Sequence, residues 1–335
     1  MNGQLLRRGA LVACALLWAL SATAADKIVV GALPLNSSAP LFIAAEEGFF
    51  AKENLDVDLK LSNSASAIAV GVAAGDYQVG ATGVTAALYN IVLGGGELKI
   101  VADKGRLTKG HHFQSIVVNK DVHAAGGTSL KALKGKSFGM TTYGSTFHYI
   151  LGNLAQREGL SLADFDLKAL RGVGNMISAI SSGQVAFGIF PEPLGSTIVD
   201  KGAGVIIGWV DDMMPYQIAV VFYGPELVKN RELGVRFMKA YVRGTRAYYD
   251  ALLAPGSENS PMRKQALEHI AKWTKRPSDG RGMIYMDRNG ELLNDFAQQA
   301  AWYADNGFVA TAIKAEVQEL VDTSFQADAV KQLGN

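Results

Sequence analysis

The chain has 335 residues, 49% of them hydrophobic and only 19% charged, so it can bury a large core and is long enough for two lobes. Lysines and arginines number 32 against 31 acids, and no long block of either sign occurs, which excludes the electrostatic footprint of a nucleic-acid binder.

The first 25 residues stand apart. Arg7 and Arg8 precede an apolar stretch from Ala10 to Leu20, and the small residues of "SATAAD" follow. This is the pattern of a cleaved secretory signal peptide, with an apolar part too short for a spanning helix. The sole cysteine, Cys14, lies inside it, so the mature chain is expected to carry no thiol, disulfide or iron–sulfur ligand. "LVAC" at 11–14 is a weak match to a lipoprotein cleavage box, and the arginine pair a weak match to a twin-arginine signal. No later segment reaches the roughly 18 uninterrupted apolar residues of a membrane span. A soluble periplasmic protein is the expectation.

"KIVVGAL" (27–33) has the β-branched, apolar character of a buried strand. Ser37 or Ser38 then opens a helix with Pro40 in its first turn, stopped near Gly48. "LDVDLKL" (55–61) alternates as a strand does, which makes strand, helix, strand in order and predicts a parallel βαβ unit. "SASAIAVGVAAG" (64–75) is the next helix, "YQVGAT" the third strand, "TAALYNIVLGGG" (85–96) a further helix and "LKIVAD" a fourth strand.

From Lys136 the arrangement begins again. "KSFGMTT" reads as strand, "YGSTFHYILGNLAQREGL" as helix, "FDLKAL" as strand, "NMISAISSG" as helix and "QVAFGIF" as strand. Gly75 in "AAGDYQVGATG" answers to Gly183 in "SSGQVAFGIFPEP", so the chain writes one βαβαβ half-unit twice. Two similar lobes facing each other are predicted. "IAVVFYGPELV" (218–228) reads as a strand leaving the second lobe. Helices over 231–252, 261–274, 289–308 and 313–333 then form a tail expected to pack back on the first lobe.

"APLFIAAEEGFFAKENLDVDL", "AIAVGVAAGDYQVGATG" and "LKGKSFGMTTYGSTFHYIL" resemble the matching segments of periplasmic substrate-binding proteins of ABC importers, in the nitrate, sulfonate and taurine branch with its thiamine-pyrimidine-binding relatives. The likeness runs over about residues 27 to 250. It implies an α/β fold of two lobes, type II among periplasmic binding proteins, each a mostly parallel sheet flanked by helices. Lobe I would comprise 26–113 and 223–335, and lobe II 114–222. It further implies a monomer that captures a small molecule and delivers it to ABC permease subunits, with no cofactor and no catalytic residue.

Open α/β sheets hold ligands at the carboxyl ends of their strands. The loops there supply Asn36, Ser37, Ser38, Ser64, Thr82 and Thr85 from the first lobe, and Thr142, Tyr143, Ser145, Thr146, Asn175 and Glu192 from the second. Several open helices, where free N–H groups and hydroxyls favour an anion such as a sulfonate, carboxylate or nitrate. Glu192, between two prolines, works against an anion and would suit an amine or a ring nitrogen. His112 is a cleft or hinge candidate. With His111 it makes a poor metal pair, because neighbours in a strand face opposite ways. Arg106 and Arg171 are candidate clamps for an anion, and Tyr143, Phe147, Phe190 and Trp209 candidate walls.

Three rivals remain. One is a binder of a pyrimidine or other heteroaromatic vitamin precursor, another a ligand-sensing module for a membrane receptor. The third, a pyrimidine-synthase-like enzyme, lacks the cysteine-rich motif its relatives carry.

Overall fold

The computed structural model describes residues 24–334, so the expected signal peptide, but for its last two residues, and Cys14 lie outside the described residues. Two five-stranded sheets organise the chain, and they share one design. The first has the order β2-β1-β3-β10-β4, built from β1 (Asp26–Ala32), β2 (Leu55–Leu61), β3 (Val79–Gly83), β4 (Lys99–Leu107) and β10 (Tyr216–Tyr223). The second has the order β7-β6-β8-β5-β9, from β5 (Gln114–Asn119), β6 (Ser137–Met140), β7 (Asp166–Ala169), β8 (Phe187–Pro191) and β9 (Gly204–Trp209).

In each sheet the strand beside the last is antiparallel to its neighbours, and in each it is the strand that follows a crossing from the other sheet: β10 in the first, β5 in the second. The first three strands of each order pair in parallel, β2-β1-β3 against β7-β6-β8. The doubled half-unit of the sequence is therefore a doubled half-sheet.

The longer helices are α1 (Ala39–Glu46), α2 (Ala65–Ala74), α3 (Ala86–Leu93), α4 (Thr146–Arg157), α5 (Val173–Ser181), α6 (Leu194–Asp200), α7 (Arg231–Leu252), α8 (Pro261–Thr274), α9 (Phe296–Asp305) and α10 (Ser324–Leu333). Among the described residues no helix is long and apolar enough to cross a membrane. Gly75 and Gly183 follow α2 and α5 with φ of 84° and 75°, a left-handed turn that glycine takes without steric cost. That is why the two segments read alike.

α7 buries Leu233, Phe237, Tyr241 and Tyr248 along one face, the three-to-four spacing of an amphipathic helix. It packs on α1 and on the first sheet, where the Tyr241 hydroxyl donates to the Asp103 carbonyl at 2.6 Å, and Phe237 stacks on Phe50, just beyond α1, at 5.3 Å. Glu53, buried, pairs with Lys239 at 2.8 Å and with Arg243, fixing the same junction.

Three expectations need correction. β10 begins at Tyr216 and hydrogen-bonds within the first sheet, so the return crossing precedes it and does not fall at 222/223. The tail does not stay on the first lobe: Trp302 and Tyr303 of α9 pack against Tyr149 of α4 at 5.1 and 5.6 Å. The helix expected over 289–308 starts only at Phe296, because Asp287 Oδ1 accepts the N–H groups of Asn289 and Glu291 and holds that stretch as a turn.

A cleft where the two sheets meet

The carboxyl ends of both sheets face one partly open cavity of about 50 Å³, room for a few water-sized groups when each needs about 10–15 Å³. The first sheet contributes Leu33, Leu35 and Ser37 after β1, Asn63 and Ala65 after β2, and Gly83 at the end of β3. The second contributes Thr141, Ser145, Thr146 and Phe147 after β6, Val173 after β7 and Pro191 at the end of β8. Gln114, Ile218 and Ala219 come from the strands that follow the two crossings, and Phe113 immediately precedes the first of these strands. The wall is apolar except for four hydroxyls and two amides, and among the described residues no charged side chain lines it.

The halves are held shut by direct contacts. The Ala86 N–H at the start of α3 donates to the Gly144 carbonyl at 2.9 Å. The Tyr303 hydroxyl bridges the carbonyls of Val84 (3.2 Å) and Ser145 (3.4 Å). At Gly83 any side chain would meet the Thr146 methyl at 2.7 Å, so a glycine is required for this approach.

The loop before α4 owes its shape to local bonds. Ser145 Oγ accepts the His148 N–H at 3.4 Å as an N-cap. The Gly144 N–H donates to His148 Nδ1 at 3.1 Å, which puts the proton of the neutral ring on Nε2. Burial lowers the His148 pKa to about 4, so the ring is neutral near pH 7.

Behind Ser37 stands a charge. Lys104, on β4, is fully buried, and its Nζ donates to Ser37 Oγ at 2.8 Å. Burial pulls its pKa down to about 7, with the adjacent Asp103 acting in the opposite sense. Asp103 points to the other face of the strand. There its carboxylate accepts from the Gly105 N–H (2.6 Å), Gln217 Nε2 (2.7 Å) and the Asp287 N–H (2.9 Å). Burial still pushes it up to about 6.

Of the polar residues predicted from sequence, Ser37, Ser145 and Thr146 line the cavity and the others do not. The Ser38 hydroxyl donates to the Leu33 carbonyl at 2.7 Å, and Ser64 caps α2 through the Ala67 N–H. Asn175 Nδ2 donates to the Leu170 carbonyl at 2.7 Å. Thr142 is half-buried and contributes its carbonyl to the Ser145 N–H, while Tyr143 is 57% exposed. Thr82 and Thr85 are buried, and neither hydroxyl finds a hydrogen-bond partner among the described residues. His112 is paired with Asp212 at 2.9 Å and stacked on Trp209.

Asn36 and Glu192 line a separate crevice beside Arg276. The Glu192 carboxylate accepts the Ser196 N–H at 3.1 Å at the start of α6, which occupies the acid away from the main cavity. Of the aromatic candidates Phe147 is at the cavity, and Phe190 is core. Arg106 lies over the Tyr285 ring, and Arg171 is exposed. Sequence reasoning missed Lys104, Phe113 and Gln114. Lys104 left one signal, a lysine two residues beyond the apolar run "IVA" of a strand.

Two such sheets, each completed by a crossing strand and closing on a common cavity, define the periplasmic binding protein fold. The chain belongs to the NMT1-like family, whose model matches residues 21–254. Its structure is similar to the periplasmic nitrate-binding protein NrtA from Synechocystis PCC 6803, with a TM-score of 0.72, 16% identity, and coverage of 92% of this chain and 89% of that one. It is also similar to the periplasmic aliphatic sulphonate binding protein SsuA from Escherichia coli (TM-score 0.68, 16% identity, 90% and 99% covered). A third is the alkanesulfonate-binding protein SsuA from Xanthomonas axonopodis pv. citri bound to MOPS (TM-score 0.64, 15% identity, 91% and 97% covered). No curated relative matches the sequence.

Proposed function

We propose that this protein is a periplasmic solute-binding protein that captures a small organic or inorganic anion, a sulfonate, carboxylate or nitrate-like ion, and delivers it as a monomer to an ABC permease. The observation that carries this reading is the shared cavity, whose hydroxyls come from both sheets and whose polar wall is neutral. Ser145 and Thr146 stand at the start of the twelve-residue α4, where the helix dipole and free N–H groups favour negative charge. The named neighbours that bind nitrate and sulfonates support the same ligand class.

Closure is the mechanism. Contacts to the ligand from both halves favour the shut state over the open one by their differential affinity, and the shut state is what a permease would recognise. A heteroaromatic base fits less well, because Glu192, the acid that could meet a ring nitrogen, is engaged by the Ser196 N–H. An enzymatic role also fits less well, since among the described residues the cavity wall offers neither an acid nor a histidine to activate a nucleophile.

The reading can be checked by native mass spectrometry of the purified protein, followed by a thermal-shift screen of sulfonates, aromatic carboxylates, nitrate and pyrimidines. Retention of, or stabilisation by, an anion is expected. A neutral or cationic ligand, or conversion of a bound molecule, would overturn the reading.

A further inference from the structure

Resting on that anion reading, the geometry points to Lys104 as the buried counter-charge of the site, acting through Ser37, and to a small monoanion with an apolar body as the ligand. The Lys104 ammonium donates to Ser37 Oγ at 2.8 Å. An oxygen that accepts from an ammonium has its own O–H left to donate, and Ser37 lines the cavity. A charge-assisted donor of this kind is stronger than a free serine. The Leu33, Leu35, Phe113 and Phe147 side chains beside it give an apolar body its place.

Among the described residues Lys104 forms no ion pair, and a buried ammonium without one is costly to keep. The titratable and charged groups nearby gather around Asp103 instead. Arg106, Tyr241 and Tyr248 act on it, and the Asp287 N–H bonds it. Among the described residues Asp103 is the one charge that acts on Lys104, from the opposite face of β4. An anion arriving across a single hydroxyl supplies the missing partner. A second negative charge would enter the same cavity with no cation to meet it, which disfavours dianions.

The deciding experiment is calorimetry with nitrate, ethanesulfonate, benzoate, sulfate and the neutral benzamide, between pH 6 and 9, on wild type, Lys104→Met and Ser37→Ala. Wild type should bind a monoanion in preference to sulfate and benzamide. Its affinity should fall by about tenfold per unit above pH 7, as the ammonium loses its proton. Lys104→Met should lose about 100-fold at pH 6 and show a flat profile, and Ser37→Ala about tenfold. Should Lys104→Met fail to fold, the wild-type pH profile and Ser37→Ala decide alone. Monoanion binding that is flat with pH and unchanged in the variants overturns the relay while leaving the anion reading intact. Wild type that takes none of the three monoanions overturns both.

Discussion

The two halves of the cavity wall follow one topology but carry different chemistry. The second sheet brings neutral donors, Thr141, Ser145 and Thr146, presented at the opening of α4. The first brings a single hydroxyl, Ser37, with a buried ammonium behind it. On the proposed reading, a duplicated half-unit acquires two unlike roles: one side would supply charge from a fixed position inside its sheet, and the other hydroxyls that reach the ligand only when the halves meet.

Of the changes that test the comparison rather than the relay, the largest effect should come from preventing that meeting. Gly83→Val places a branched side chain where a Cβ already lies 2.7 Å from the Thr146 methyl. Overpacking of about 1–3 kcal/mol should weaken the ligand by about 10- to 100-fold, read by calorimetry. Undiminished affinity would mean that the halves need not touch.

Charge on the first side can be isolated through stability. Below about pH 7 Lys104 is protonated whether folded or unfolded, and its desolvation weighs on the fold. Between about 7 and the ordinary lysine value of 10.5 the unfolded chain binds a proton that the folded chain has released, so stability rises with pH. Lys104→Met abolishes that rise. Melting curves should show the variant gaining most at pH 6, with the gap to wild type closing toward pH 10; parallel curves would contradict a buried ammonium.

Smaller losses are expected from the second side. Ser145→Ala removes an N-cap worth about 1 kcal/mol of stability together with one cavity hydroxyl, and should weaken the ligand by roughly tenfold at most. Urea titration and calorimetry separate the two effects. Smallest of all are Glu192→Gln and His112→Ala, which lie off the cavity and should leave affinity within about twofold. A larger change there would move the site toward the crevice beside Arg276.

Much of the fold was legible because its signals are local. Gly75 and Gly183 had to be glycines to turn left-handed after their helices, and short apolar runs marked the parallel strands. The segment 141–146 was legible for its helix-start chemistry, yet the cavity takes Thr141, Ser145 and Thr146 rather than Thr142 and Tyr143. A hydroxyl at a helix start can cap its own backbone or turn outward, and the sequence spacing is the same for both. Ser64 went one way, Ser37 the other. Phe113, Gln114 and Lys104 lay beyond reach for a different reason: they sit on crossing strands or their neighbours, whose inward face is set only when the two sheets pack.

The central claim, that both halves close on one anion, is tested most directly by small-angle scattering of wild type and Gly83→Val, with and without a monoanion that calorimetry shows to bind. The account predicts a smaller radius of gyration for liganded wild type and no such compaction for the variant. An unchanged radius in wild type saturated with a tightly bound anion would contradict it.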